Sequence, residues 1–271
     1  MFHVKRNNMK TIINWKVFFI LWIAGVLATL LVLPYVLEVQ SSTIDLTTLG
    51  IPLPMLIVLQ TVQSAILLAI VVFLGLLLAG RVGLATPILD SITRSESVSD
   101  KVRAILPLSI ALGVVMTLVL LALEVFYFQP AMMKELGDTA AALSLQTAQA
   151  AAWKGFLASF YGGIAEEILL RLFVMSLLVW LGKFISKTPQ GKPTAIVFWI
   201  ANILAAVLFG LGHLPTTALL VPLTTLVVTR AIILNGLIGV ACGWLYWKRG
   251  LESAMVAHFS ADIVLHVLLA L

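Results

Sequence analysis

The sequence is poor in charged residues and in cysteine. Only 11% of its 271 residues are charged, whereas soluble domains average about 25%. The single cysteine, Cys242, excludes an intramolecular disulfide and a zinc-finger ligand set, and we expect it to be a small buried apolar residue. The sequence also lacks the G-x-S-x-G motif of serine hydrolases and the H-E-x-x-H motif of zincins. These absences argue against a soluble domain and against either of those two hydrolase types.

Apolar segments dominate the chain. Hydrophobic residues make up 61% of it, against about 45 to 50% in ordinary soluble domains. Runs long enough to cross about 30 Å of hydrocarbon recur from Val17 to Leu271. We therefore predict an all-α, polytopic membrane protein in which about eight transmembrane helices enclose an intramembrane active-site cavity. Residues 1–271 are expected to form a single membrane domain.

The positive charge of the chain is distributed in a way that predicts its orientation. The net charge of +5 is spread over short loops and the amino-terminal segment, which indicates the lipid bilayer as a partner and no nucleic acid. Basic residues before the first span and around Arg94 and Lys183 predict a cytoplasmic amino terminus. An even number of spans predicts a cytoplasmic carboxyl end, but Lys248 and Arg249 then fall on the wrong side. The short segment 216–229 is therefore also consistent with a re-entrant segment.

One apolar stretch, residues 153–184, is longer than an ordinary span. It predicts either a tilted helix or a helix with a break near residues 162–163 or near Arg171.

Three ionisable residues lie inside this stretch, within a segment of six residues. An ionisable group at bilayer depth costs at least about 2.5 to 3.5 kcal/mol, so Glu166, Glu167 and Arg171 need partners, water or a function. Glu167 and Arg171 are four residues apart, so on a helix they share a face and can pair. Glu166 points elsewhere and remains available to a water molecule or a metal ion. The alternative is a structural ion pair between helices, with Glu166 lining a polar crevice.

Two further segments place histidines at depth. His213 ends an apolar run just before Pro215, and alone it would more often be an interfacial histidine than a ligand. His258 and Asp262 are four residues apart, so both project from one helical face toward a metal ion, a water or each other. A mutual hydrogen bond without further function is the alternative. His266 continues this face near the end of the span, and we leave it out of the predicted site.

Together these residues match the requirements of water activation. A glutamate takes a proton from water, either directly or with the water on a metal ion, and histidines polarise or bind the carbonyl oxygen of the substrate. Two other classes stay open. Buried carboxylates and histidines also form ion pathways in transporters, and a non-catalytic membrane scaffold or bacteriocin-immunity protein would use them only for structure.

Three short motifs resemble those of the CPBP family of intramembrane proteases, which includes type II CAAX prenyl endopeptidases and bacterial abortive-infection proteins. The motifs are Glu166-Glu167-x-x-x-Arg171, Phe209-x-x-x-His213 and His258-x-x-x-Asp262. Their order and internal spacing agree over residues 155–266. Asn235 resembles a polar residue that the family often has there, whereas Leu172 stands where the family frequently has glycine.

The resemblance implies a role for each predicted site residue. Glu166 would be the general base, supported by Glu167 and Arg171, and His213, His258 and Asp262 would form the oxyanion or metal side of the site. The enzyme would be a glutamic or a metallo-endopeptidase, which requires either no cofactor or zinc held by His213, His258 and Glu166. Residues 153–271 would supply the catalytic helices. The substrate would be a membrane-embedded or prenylated peptide or protein, and the location a bacterial plasma membrane.

Overall fold

The computed structural model describes residues 13–40, 52–137, 139–140 and 150–271, and it confirms the predicted all-α class for them. Extended pairing in this part of the chain is confined to one isolated bridge between Lys187 and Pro193. The α-helices are α1 (Trp15–Leu31), α2 (Leu33–Gln40), α3 (Leu53–Val82), α4 (Pro87–Thr93), α5 (Ser99–Leu123), α6 (Gln129–Leu136), α7 (Ala152–Phe160), α8 (Ser176–Ile185), α9 (Ala195–Gly212), α10 (Leu214–Ala218), α11 (Thr225–Arg249) and α12 (Leu251–Asp262). Turns of π-helix follow several of them, at Glu124–Phe128, Tyr161–Glu166, Ile168–Met175 and Ile263–Val267.

Seven helical segments in the described ranges are long and apolar enough to cross a membrane. They are Trp15–Val39, Leu53–Val82, Ser99–Leu136, Ala152–Ile185, Ala195–Ala218, Thr225–Arg249 and Leu251–Ala270. The polytopic fold is thus confirmed, with a count close to the predicted eight. The difference lies at residues 216–229, which form the short α10, a loop and the first turn of α11. Pro222 cannot donate a backbone hydrogen bond, and the Thr224 hydroxyl accepts from the Val227 N–H and begins a new helix there.

Seven spans in the described residues, instead of the predicted eight, change the side of the membrane on which Lys248 and Arg249 are expected. Consecutive spans alternate in direction, so seven spans place Lys248 and Arg249 on the side of the amino-terminal end of α1. Contacts agree: the Asn14 amide donates to the Thr93 hydroxyl at 2.8 Å, and Arg249 donates to the Ala104 carbonyl at 2.9 Å. The Ala270 end of the last described span, Leu251–Ala270, then lies on the opposite side, whereas an even number of spans places it on the same side. Of the basic residues before the first span, only Lys16 falls in the described part of the chain.

Small residues allow the helices around the site to approach closely. A Cβ atom on Gly113 in α5 would lie 2.2 Å from the Ala257 carbonyl oxygen of α12, so only glycine fits this crossing. A Cβ atom on Gly75 in α3 would lie 2.7 Å from the Cγ of Leu172. Leu172 therefore fits at this crossing because the residue opposite it on α3 is glycine.

The amphipathic helix α4 is attached to the start of α12 by a buried acid. The Glu252 carboxylate accepts hydrogen bonds from the backbone N–H groups of Ile88 and Leu89, at 2.9 and 2.8 Å, and so caps α4 from outside. The Leu251 N–H donates to the Ala85 carbonyl at 3.1 Å beside it. The helix that carries His258 is therefore fixed at its first turn.

Replacing Glu252 by alanine is expected to destabilise the protein by about 0.5 to 2 kcal/mol, the usual cost of losing a helix cap. The two N–H groups lose their acceptor, and the first turn of α12 loses its attachment to α4. Thermal unfolding in detergent measures the loss, with Glu135→Ala as the control because Glu135 is exposed. Equal midpoints for the two variants would contradict the capping role.

Candidate active site

The segment Ala152–Ile185, which contains both glutamates, is helical throughout. Instead of breaking, it widens into π-helical turns at Tyr161–Glu166 and Ile168–Met175, close to the two places where a break was predicted. Such turns are frequent at functional sites, and they change the direction of the side chains that follow. Gly162 and Gly163 bring these turns against α12: a Cβ atom on Gly163 would lie 2.9 Å from the Phe259 Cβ.

Glu167 and Arg171 form the predicted ion pair at the centre of the helix bundle. Their side chains are 0% and 2% exposed, and Arg171 Nη1 lies 3.0 Å from Glu167 Oε1. The same carboxylate oxygen accepts a 2.7 Å hydrogen bond from Nδ1 of His258. Arg171 also donates from Nη2 to the Gly239 carbonyl at 3.1 Å. The pair therefore joins three helical segments and holds the His258 ring in one orientation.

Glu166 and Asp262 approach the other nitrogen of His258. Because Nδ1 donates to Glu167, the Nε2 atom faces the opposite way, where Glu166 Oε2 lies 3.6 Å and Asp262 Oδ1 3.8 Å from it. The Glu166 side chain is 20% exposed, whereas the His258 side chain is 6% exposed. The described structure thus brings five of the predicted residues into one cluster, in which Glu166 and Asp262 are the carboxylates that do not pair with Arg171.

His213 lies at the edge of this cluster. It ends α9, and its Nδ1 donates to the Phe209 carbonyl one turn earlier, at 2.9 Å. The Phe209 ring contacts the rings of His213 and His258, with centroids 4.8 and 5.5 Å apart, and the Arg171 guanidinium lies 5.1 Å from its centroid. Within the described residues, His213 makes no ion pair with a carboxylate. Its Nδ1–H bond leaves Nε2 as the free ring nitrogen.

Several residues that support the site carried no clear signal in the sequence. In the sequence Phe209 is only the first position of a motif. In the structure its ring contacts His213, His258 and Arg171. Asn202 is buried and donates to the Val240 carbonyl at 2.9 Å, beside the turn that bonds Arg171. The signal for Asn202 in the sequence is that it is a polar residue within an otherwise apolar helix. Asn235, which the resemblance singled out, bonds the Ala231 carbonyl of its own helix.

Two other predictions concern residues outside the cluster. Cys242 is buried, as expected, and its thiol approaches the Ala254 carbonyl at 3.7 Å. His266 lies against Tyr35, with its Nδ1 3.3 Å from the phenol oxygen, and is not part of the Glu166 cluster. Leaving His266 out of the core site agrees with this placement.

Donor atoms that could bind a zinc ion lie around His258. Ligand atoms of a tetrahedral zinc site lie about 3.3 to 3.6 Å apart, because metal–ligand bonds measure about 2.0 to 2.2 Å. Nε2 of His258 lies 3.6 Å from Glu166 and 3.8 Å from Asp262, but His258, Glu166 and Asp262 are not a described group whose ligand atoms all lie within 4.8 Å of one another. Glu167, Cys242 and His258 converge within 4.8 Å, but Glu167 is already bound by Arg171. The ligand set with His213 stays a prediction.

Replacing Gly162 by alanine is expected to lower the activity of the site by about 100-fold, because catalysis depends on positions to within about 1 Å. The new Cβ atom would lie 2.1 Å from Asp262 Oδ2 and 3.1 Å from His258 Nε2, so the acid must move. The control is Gly212→Ala, whose Cβ would meet no atom within 4 Å. Turnover of the proposed peptide substrate measures the effect. Equal turnover by both variants would show that this face of His258 is not used.

The described spans indicate a multi-pass membrane protein, and a buried cluster of glutamate, arginine and histidine lies among them. Residues 148–264 match the family model described as "Type II CAAX prenyl endopeptidase Rce1-like". The matched residues contain all three motifs, so the match supports the resemblance to CAAX-type membrane proteases. A search of curated proteins gave no match, and neither did a search of solved structures.

Proposed function

We propose that the protein is an intramembrane endopeptidase that hydrolyses a peptide bond with water activated by Glu166. The observation that carries the proposal is the position of Glu166 Oε2, 3.6 Å from His258 Nε2. One water molecule can contact both atoms at hydrogen-bond distance. The match of residues 148–264 to the Rce1-like family model supports the same reaction.

The reaction starts when the Glu166 carboxylate takes a proton from the water. The water oxygen forms a bond to the carbonyl carbon of the scissile peptide, and the carbonyl oxygen becomes an oxyanion. Protonated His258 donates from Nε2 to this oxygen, and His213 approaches it from the end of α9. Glu166 then gives its proton to the amide nitrogen, and the C–N bond breaks to yield a carboxylic acid and an amine.

Glu167 and Arg171 position the reacting groups without touching the substrate. Glu167 holds Nδ1 of His258 at 2.7 Å, so the ring keeps Nε2 directed at Glu166. Arg171 neutralises Glu167, which leaves Glu166 as the base. This division gives two neighbouring carboxylates different roles because only one of them has a fixed cation.

Zinc is the alternative to this direct route. An ion held by the predicted ligands His213, His258 and Glu166 would supply Lewis-acid chemistry at the same place, but Glu166 would no longer be a free base. We favour glutamate-activated water and no cofactor.

We also propose that residues 1–271 form one membrane domain with the catalytic helices in residues 153–271. The larger hydrophobic core of the described residues supports this, since it contains Val17 and Val72 together with Ile168, Leu245 and Ala261. The basic ends of the spans support a plasma membrane location with that end in the cytoplasm, and we propose a bacterial source for the membrane.

The test uses purified protein in lipid nanodiscs with two peptide substrates. One is a farnesylated peptide that ends in a CAAX sequence, and the other is a transmembrane peptide without a prenyl group. Mass spectrometry identifies the products, with and without a zinc chelator. We expect new termini from at least one peptide and unchanged activity with chelator.

Each other outcome refutes a stated part of the proposal. Loss of activity with chelator and recovery with zinc would replace the metal-independent route. Absence of cleavage would leave the scaffold or immunity function, and proton or solute flux in proteoliposomes would establish a transporter.

A further inference from the structure

An apolar groove runs along the outside of the bundle, apart from the carboxylate cluster. It has a volume of about 640 Å³ and lies between α5, α9 and α11. Its walls include Leu112 and Met116 of α5, Ile203 of α9, and Gly236 and Trp244 of α11. All fourteen lining residues are apolar or tryptophan. The groove lies within three membrane-spanning segments, so its natural occupant is a hydrocarbon chain.

The length of the groove corresponds to one leaflet of the bilayer. Along α11 the lining extends from Ile232 to Trp244, which is about 18 Å at 1.5 Å per residue. Half of a hydrocarbon core of about 30 Å is about 15 Å, close to this length. Trp199 and Trp244 lie at the end of the groove near the basic end of the bundle, where tryptophan favours the membrane–water interface. A chain that enters there belongs to a lipid of that leaflet.

Positive charge surrounds the same end. Trp199 contacts Trp247, and the ammonium group of Lys248 lies 3.4 Å from the Trp247 ring centroid. Lys248 is exposed and lies one helical turn beyond Trp244, which lines the groove. Lys248 and Arg249 thus place positive charge at headgroup level at this end of α11. Clustered lysine and arginine at this level attract anionic headgroups.

We propose that this groove is a binding site for an anionic phospholipid, with one acyl chain in the groove and the phosphate near Lys248. The innermost part of the groove is linked to Arg171 through Gly239. Ala206 lines it and packs on Gly239, whose carbonyl holds Arg171. A bound chain therefore fills the space behind the helix pair that positions Arg171.

The test measures bound lipid directly and is independent of proteolysis. Purified protein is exchanged into nanodiscs of phosphatidylglycerol or of phosphatidylcholine, and native mass spectrometry counts the retained lipids. A phospholipid with a photoreactive acyl chain maps the site by sequencing of the labelled peptides. We expect one retained phosphatidylglycerol, labels on α9 and α11, and a higher thermal midpoint with the anionic lipid.

Two variants with matched controls address the chain and the headgroup separately. Gly236→Phe fills the groove, because a Cβ atom there has only the Ala206 oxygen nearby, at 3.8 Å. It should abolish labelling, whereas Ile66→Phe on the exposed face of α3 should not. Lys248→Gln should weaken retention about fivefold, the effect of one cation near the surface, and Lys187→Gln in the exposed hairpin should not.

Several results would overturn the proposal. Equal retention of phosphatidylcholine would remove the headgroup contribution, and labels elsewhere would remove the site. If Gly236→Phe kept its phospholipid but lost binding of the farnesylated peptide, the groove would hold the substrate's chain instead.

Discussion

Replacing Glu166 by glutamine is expected to lower the rate of peptide cleavage by at least about 10²- to 10⁴-fold, the usual contribution of general-base catalysis. Glutamine has nearly the same shape but cannot accept a proton from water. Glu166 is 20% exposed and has no arginine partner in the described structure, so its replacement should leave the thermal midpoint almost unchanged. Rates are measured with the cleaved peptide at saturating and at limiting concentration. The loss should appear in kcat, because the carboxylate acts on the water and not in substrate binding.

Glu135→Gln is the matched control, since it makes the same chemical change at an exposed position. Glu166→Asp adds a second test: it keeps the carboxylate but withdraws it by one methylene, so partial activity is expected. Wild-type rates for Glu166→Gln would contradict the assignment of the base. A loss that appears only in KM would instead make Glu166 a substrate-binding residue.

The residues that pair within one helix could be predicted from the sequence. Glu167 and Arg171 are four positions apart and form an ion pair at 3.0 Å, and His258 and Asp262 have the same spacing and lie 3.8 Å apart. The helix repeat determines these pairs, and burial in an apolar segment makes pairing necessary. Contacts between segments were harder to predict. His258 bonds Glu167 with one ring nitrogen and faces Glu166 with the other. This arrangement depends on how α12 crosses the π-helical turns.

The remaining differences also have physical causes. The position of His213 depends on where α9 ends and on the Phe209 ring between the two histidines, neither of which a helical repeat contains. The interruption at residues 216–229 depends on one proline and one capping threonine in an otherwise apolar stretch. The counterpart of Leu172 is Gly75, almost a hundred positions earlier, and no local pattern relates them.

Replacing Arg171 by methionine is expected to destabilise the protein by about 3 to 5 kcal/mol, the cost of leaving a buried charge without its partner. Glu167 would keep its bond from His258 but lose its cation, at a position that is 0% exposed. The Gly239 carbonyl would also lose its donor. Denaturant unfolding in mixed micelles measures the loss. Arg230→Met is the matched control: Arg230 makes two 2.8 Å bonds to Glu124, but both side chains are about a quarter exposed, so a smaller loss is expected.

The double variant Glu167→Gln with Arg171→Met separates the charge from the packing. It removes both charges, and the glutamine oxygen can still accept the bond from His258, so much of the lost stability should return. Catalysis should not return with it, because the neutral amide no longer favours protonated His258, which the oxyanion requires. A double variant as unstable as Arg171→Met alone would mean that the guanidinium matters through its bond to Gly239 and its contact with Phe209. Recovery of both stability and rate would instead make the Glu167–Arg171 pair dispensable and leave Glu166, His258 and Asp262 as the whole of the catalytic machinery.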